Sequence, residues 1–366
     1  VLVNSDGGST DRTREIVERT EVGDLTEILV DAVPEKLATR IVTPYHGLPG
    51  KGSALRTIFR IAAELDVKAC CVVDSDLRSI TPEWVELLLE PITRHGFEFV
   101  SPLYARHRYD GTITNTIVYP LTRALYGKRI RQPIGGDFGF SGDLAERFLE
   151  YDGWEGPVAR YGIDIFMTTT AVAEGRRVCQ SFLGAKIHDP KDPGADLQPM
   201  MIQVVSTLFE LMERHQSIWC AVRGSEKTRV FGFPYTVGLE PVPVKVERLV
   251  QIFTQAASEL VPIWELFLSR ESLEAIQGAS DGTGRLRLTD EAWVGIVQEA
   301  AVGYHRRRLP ADTLIKSLVP LYLGKVGTFV EETRDVSPEE AEESLERLAL
   351  TYEAGKGRLC DLFSAA

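Results

Sequence analysis

The stretch Val72-Val73-Asp74-Ser75-Asp76, reached through Ala69-Cys70-Cys71 and left through Leu77, decides how the chain is read. Small and β-branched residues followed by two acids one residue apart read as a buried strand ending in carboxylates. Alternation sends Asp74 and Asp76 to the same side, which at a strand's carboxyl end can face a crevice. Two hard oxygen donors there suit Mg2+ or Mn2+, held with one or two carboxylates and the phosphates of a ligand. A solvated turn is the plainer alternative, because Asp and Ser are ordinary turn residues. The surrounding motifs must decide between the two.

The totals set the frame. The chain has 366 residues, 44% hydrophobic and 26% charged, with a formal net charge of −12. That length allows one large domain with an appendage, or two domains. The acidic balance argues against nucleic acid as a partner, which needs a basic footprint. Cys70, Cys71, Cys179, Cys220 and Cys360 are scattered with no C-x-x-C pair, the pattern of a reduced, cytoplasmic protein. No apolar run approaches a membrane span and no basic-then-apolar leader opens the sequence. The opening Val1-Leu2-Val3, without Met and already strand-like, leads us to expect a further strand upstream.

Strands and helices alternate through the first half. Strands are expected at Val1 to Val3, Glu27 to Val30, Thr39 to Thr43, Phe97 to Leu103 and Arg177 to Phe182. Asp6-Gly7-Gly8-Ser9-Thr10-Asp11 is a turn rich in caps, with Ser9 or Thr10 opening a helix. Pro49-Gly50-Lys51-Gly52-Ser53 opens another, with Lys51 where a phosphate could meet it and free backbone N–H groups. The Walker spacing is absent, so a plain surface lysine competes with that reading. Thr81-Pro82-Glu83 starts a third helix, Thr81 as cap and Pro82 in the first turn. This order implies a mostly parallel, doubly wound α/β sheet.

Beyond Leu103 comes a basic-aromatic loop, Tyr104 to Gly111, and then a helix from Thr112 to Tyr126 interrupted by Pro120. Arg131 to Ser141 mixes glycines with aromatics, as expected of backbone held close to a ligand. Asp164 stands at or near the cap of the helix Ile165 to Ala173, which capping alone would explain. His188, at a strand exit, is a possible third metal ligand or an ordinary loop histidine. From Asp196 on, amphipathic helices are expected at Leu197 to Trp219, Val244 to Leu268, Asp290 to Arg306, Ala311 to Leu323 and Pro338 to Leu362. Ser337 with the acids after it is a clear helix start. The expected division is 1–195 for the α/β part and 196–366 for the helical part.

Taken in order and spacing, Asp6 to Asp11, Pro49-Gly50-Lys51-Gly52, Asp74-Ser75-Asp76, Gln132-Pro133-Ile134-Gly135-Gly136-Asp137, Gly162-Ile163-Asp164 and His188 resemble one group. It is the retaining nucleotide-sugar glycosyltransferases of the GT-A fold, specifically the mannosylglycerate synthase and glucosyl-3-phosphoglycerate synthase type. The resemblance covers about the first two hundred residues. It implies that Asp76 and His188 ligate the divalent cation, Mg2+ or Mn2+, while Asp74 lies against the nucleotide ribose or the metal shell, with Ser75 beside it. It puts Asp6 near the base and Lys51 near the nucleotide or its phosphates. Gly135, Gly136 and Asp137 would line the donor sugar, and Asp164 would approach the reacting centre, so Asp164 and Asp137 carry the catalytic expectation.

For the acceptor, the phosphoglycerate enzymes carry an Arg where this chain has Thr112. Mannosylglycerate synthase uses an Arg, an Asp and a Thr at the spacing of Arg106, Asp110 and Thr114. The resemblance thus implies hexose transfer from GDP-mannose, GDP-glucose or UDP-glucose to glycerate, with 3-phosphoglycerate as the alternative acceptor. More distant readings are a family 2 transferase acting on a polysaccharide or lipid precursor, and a nucleotidyltransferase. The helical tail could serve a homodimer, cover the acceptor site, or do both.

Overall fold

The computed structural model describes residues 1–5, 12, 15–16, 19–20, 26–28, 39–43, 50–187, 197–235, 238–239, 241–280 and 284–365. Asp6 and His188, with the turn and loop around them, lie outside the described residues, as does the helix start at Ser9 or Thr10.

The strands in chain order are β1 (Leu2–Ser5), β2 (Thr26–Ile28), β3 (Thr39–Thr43), β4 (Ala69–Val72), β5 (Phe99–Ala105), β6 (Lys128–Arg129), β7 (Phe138–Ser141), β8 (Val178–Ala185), β9 (Glu226–Lys227) and β10 (Arg229–Phe231). β1, β3 and β2 form a parallel sheet in that order. A second sheet runs β10-β8-β5-β7-β4. Its β10, β8 and β5 are parallel, and β7 is antiparallel to both β5 and β4. The α/β class and the mostly parallel sheet are as expected from sequence, with β7 as an inserted reversal.

β7 corrects one expectation. The glycine-aromatic stretch is not all loop: Phe138 and Phe140 alternate with Gly139 and Ser141 and turn two fully buried rings into the core. Phe138 stacks on Phe99 at 5.4 Å between ring centres, and Phe140 meets Phe59 edge-on at 5.3 Å. Gly139 is needed because a Cβ there would lie 2.1 Å from the carbonyl oxygen of Leu88, in the helix Pro82–Thr93 that covers the sheet. β4 is less buried than its apolar sequence implies: Ala69, Cys70 and Cys71 are half-buried and only Val72 is enclosed.

The sheet order brings three strand ends together. β4, β5 and β8 all finish on one edge, so Asp74, Arg106 and Lys186 leave their strands side by side, where ligands bind in open α/β sheets. Behind the sheet, helices from Gln198 onward build a large apolar cluster around Trp264, Trp293, Tyr322 and Tyr352. That cluster also takes in Ile113, Ile117, Leu121 and Leu125. Ile113 immediately precedes a π-turn at Thr114–Val118, and the other three come from that turn and the helix Tyr119–Tyr126, with Pro120 in its first turn rather than breaking it. The late helices start close to their expected positions, including Ser337 in a complete capping box. The helix Arg270–Gly278, opened by a Ser269 cap, falls where no helix was expected.

Candidate functional site

Lys51 is the first residue of the helix Lys51–Glu64, and two glycines fix where that helix starts. A Cβ on Gly50 would lie 2.5 Å from Ala159 O, and one on Gly52 would lie 1.8 Å from Val158 O. The helix start is therefore pressed onto the turn Pro157–Ala159, and Gly52 N donates to Arg160 O at 3.1 Å. That N–H is spent, so it is not part of an open phosphate cradle. The Lys51 ammonium instead reaches Asp74 Oδ1 at 2.8 Å and Asp164 Oδ1 at 3.0 Å.

Asp164 sits in the first turn of the helix Ile163–Ala173, but its side chain makes no cap hydrogen bond. It is turned to Lys51, so capping does not account for it. Burial pushes the Asp164 carboxyl above the usual carboxylate range, with Lys51 opposing. Burial also works against charge on Lys51, but Asp164 and Asp74 outweigh it and hold the ammonium protonated well above the ordinary lysine range. Asp74 goes the other way from Asp164. Burial raises it, yet Lys51 and Lys186 together hold it well below the carboxylate range. Asp74, touched by two ammonium groups, is thus firmly ionised, while the more deeply buried Asp164 protonates more readily, the arrangement that divides roles between acids.

The second cation, Lys186, is a site residue that sequence reasoning missed. It follows β8, its side chain is only 6% exposed, and its ammonium donates to Asp74 Oδ2 at 3.0 Å, Asp137 Oδ2 at 2.9 Å and Gly135 O at 2.7 Å. Tyr104, from the end of β5, donates its hydroxyl to Asp137, and Asp74 N donates to Asp137 Oδ1 at 2.7 Å. Burial and the neighbouring Asp137 push the Tyr104 hydroxyl well above its ordinary value. Asp137 is therefore fully buried with its oxygens engaged. It lies beneath Asp74 and sets that residue's backbone. Gly136 closes the arrangement at φ +93°, where a Cβ would lie 2.1 Å from Asp74 Oδ2.

Lys51, Asp74, Ser75, Asp76, Gly135, Gly136 and Asp164 face one cavity of about 370 Å3, together with Lys186. Arg106, Asp110 and Thr114 line its other side. Arg106 Nε donates to Asp110 Oδ2 at 2.8 Å, so the guanidinium is oriented from one edge. Thr112 is not among them. It is fully buried and hydrogen-bonds the Tyr322 hydroxyl at 2.6 Å, facing the helical region. It therefore contributes no side-chain group to this cavity.

The metal expectation can be tested on these side chains. Asp74 spends Oδ1 on Lys51 and Oδ2 on Lys186, which suits a residue beside the metal or on the ribose better than a direct ligand. Asp76 is exposed, lines the cavity and has no cation on it among the described residues. Among those residues no group of three metal-ligating side chains is assembled, and the expected partner His188 lies outside them. A lone exposed carboxylate at a strand exit fits a hard cation that keeps water and phosphate ligands.

Among the described residues no helix is long and apolar enough to cross a membrane. A family model described as mannosylglycerate synthase, GT domain, matches residues 7–210, more than half of the chain. No curated protein matches the sequence. Among solved structures, glucosyl-3-phosphoglycerate synthase from Mycobacterium tuberculosis with Mn2+, UDP and phosphoglyceric acid is 24% identical at a TM-score of 0.40, covering 57% of this chain and 66% of that one. The same synthase with Mn2+, UDP and glucosyl-3-phosphoglycerate is 23% identical at 0.42, covering 58% and 68%. A structure described as a mycobacterial protein is 22% identical at 0.41, covering 58% and 64%. The chain thus spans about two thirds of the length of these relatives, just under it for the first and the third. The residues facing the cavity of about 370 Å3 all fall within the matched span, and on that match the chain belongs to the mannosylglycerate synthase glycosyltransferase-domain family.

Proposed function

We propose that the protein is a retaining, divalent-cation-dependent glycosyltransferase that moves a hexose from a nucleotide-diphospho-sugar to a small glycerate-type acceptor. The observation that carries this is the single cavity onto which Lys51, Asp74, Asp76 and Asp164 converge from one side and Arg106, Asp110 and Thr114 from the other. The donor is GDP-mannose, GDP-glucose or UDP-glucose. The synthase it resembles has been solved with UDP-glucose and with phosphoglyceric acid. The transfer chemistry is assigned to residues 1–195 and acceptor cover to residues 196–366.

In this reading the acceptor hydroxyl oxygen bonds to the sugar C1 as the bond from C1 to the diphosphate oxygen breaks, both on the same face. Lys51, held charged by two acids, stabilises the charge that builds on the departing diphosphate. Asp164 orients the reacting hydroxyl. Asp137, Lys186 and Tyr104 hold Asp74 and Gly136 in place for the donor. Arg106, oriented by Asp110, takes the acceptor carboxylate, and Thr114 stands beside it. A divalent cation held by Asp76 with His188 would add charge neutralisation at the diphosphate.

The test is nucleoside-diphosphate release with Mg2+ or Mn2+, crossing the three donors with D-glycerate, 3-phosphoglycerate and no acceptor. Acceptor-stimulated release that stops with EDTA is the expected result. Release of pyrophosphate from a nucleoside triphosphate instead would make the protein a nucleotidyltransferase. Metal-dependent donor hydrolysis that neither acid stimulates would point to a polymeric acceptor.

A further inference from the structure

A second and larger cavity, about 570 Å3, adjoins the first. The two share Arg106, Asp110, Gly111 and Thr114, so they meet at the acceptor residues. Free glycerate is far smaller than either hollow, and the second lies in the size range of roughly 300–1,000 Å3 usual for ligand sites. One wall comes from the loop after β5 and the other from the first turns of the helix Pro338–Ser364.

The chemistry of the walls is mixed by design of position. Guanidinium groups from Arg106, Arg108 and Arg131 stand among carboxylates from Asp110, Glu339 and Glu342, so their formal charges cancel. A balanced wall does not favour a polyanion. It suits hydroxyl groups, each of which donates to a carboxylate and accepts from a guanidinium. These groups are held before any ligand arrives. Arg131 forks onto Glu342 at 2.8 and 3.0 Å and donates to Asn115 at 2.9 Å. Arg108 is pinned to the carbonyls of Thr333 and Val336 at 2.5 and 2.8 Å. Tyr235, 62% exposed, and Leu239 add an apolar face for the C–H side of a ring.

We infer that this cavity is a subsite for the neutral, polyhydroxylated far part of a longer acceptor, a glycerate already carrying one or more sugar residues. The inference deepens the function proposed above and rests on it. The acceptor hydroxyl oxygen still bonds to the donor sugar C1 as the C1–diphosphate bond breaks, and its proton leaves with the diphosphate. Only the body of the acceptor extends into the second hollow.

The experiment measures kcat/KM for nucleoside-diphosphate release with one donor and two acceptors, D-glycerate and a glucosylglycerate, in the wild type and in Leu239→Trp. Leu239 is 38% exposed, so an indole there fills the cavity from its mouth without disturbing the core. The glucosylglycerate is expected to be the better substrate, and Leu239→Trp to lower the ratio of the two kcat/KM values by about tenfold or more. Glycerate active and the glycoside inert would overturn the subsite and leave the glycerate function standing. Glycoside active and glycerate inert would support the subsite and replace glycerate as the acceptor. Inactivity with both acids, with donor hydrolysis intact, would overturn both readings. A ratio unmoved by Leu239→Trp would also overturn the subsite.

Discussion

Asp164 and Asp137 are both buried acids in one charge network, yet they do different work. Asp164 shares Lys51 with Asp74 and faces the cavity, so removing it should strike turnover before donor binding. In Asp164→Ala, kcat should fall by about 10²-fold or more, the scale for losing one preorganised electrostatic contact, while nucleotide affinity measured by calorimetry stays within a few-fold. Turnover close to wild type would remove Asp164 from the mechanism. Asp137 is spent on Asp74 N, Tyr104 and Lys186. Asp137→Asn can keep the acceptor for Asp74 N only by turning its amide NH2 towards the Lys186 ammonium. Breaking a buried pair in this way costs about 3–5 kcal/mol, and a urea midpoint that does not drop would show the network is not built as described. The five cysteines are free. Burial pushes the Cys71 thiol up to about 11 and that of Cys70 up to about 12, leaving both weak nucleophiles near neutral pH.

At the scale of elements, the site is made by strand ends and by the short approaches that glycine permits. Gly136→Ala places a methyl group on the Asp74 carboxylate in a backbone region L-residues avoid. Local strain of this kind costs about 1–3 kcal/mol, and the distortion falls on Asp74. Donor KM should rise more steeply than thermal stability falls, and an unchanged KM would mean Gly136 serves the fold alone. The acids of β4 were legible in the sequence because alternation and an apolar run need only neighbouring residues to be read. Lys51 and Asp164 stood out at helix starts near glycine, but a surface lysine and a helix cap explained them as well until the resemblance gave them a role. Lys186 and Tyr104 did not stand out. Each is an unremarked residue at a strand end until β8 is known to lie beside β5, and that pairing joins residues far apart in the chain. β7 was hidden because Gly139 argues against a strand, and only the helix packed on it explains the glycine. The place of Thr112 was hidden for the same reason: a partner more than two hundred residues away, Tyr322, decides where it faces.

Across the whole molecule, the long C-terminal helix is stitched to the helix Tyr119–Tyr126 by buried charge. Arg123 is fully buried and paired with Glu346 at 2.5 Å and Glu353 at 2.6 Å. One turn on, the Lys356 ammonium donates to Leu125 O at 2.8 Å and Val222 O at 2.9 Å. Burial pushes Lys356 down to about 8, with Arg223 adding to the effect and Cys360, Cys220 and Glu353 opposing it. A lysine whose folded value lies below its unfolded one penalises the folded state while charged in both. As pH rises through 8 the folded lysine gives up its proton while the unfolded chain keeps it up to its ordinary 10.5. Between those values the unfolded state binds more protons, so stability rises with pH. The wild type should therefore gain on Lys356→Met from about pH 8 upward, read as the difference of their urea unfolding free energies at pH 7, 8, 9 and 10. The variant also loses two hydrogen bonds to carbonyls, but that offset is nearly the same at each pH, because a neutral amine can still donate both. A difference that stays flat or shrinks would show that Lys356 keeps its proton inside the fold, and that the carbonyls of Leu125 and Val222 outweigh its burial.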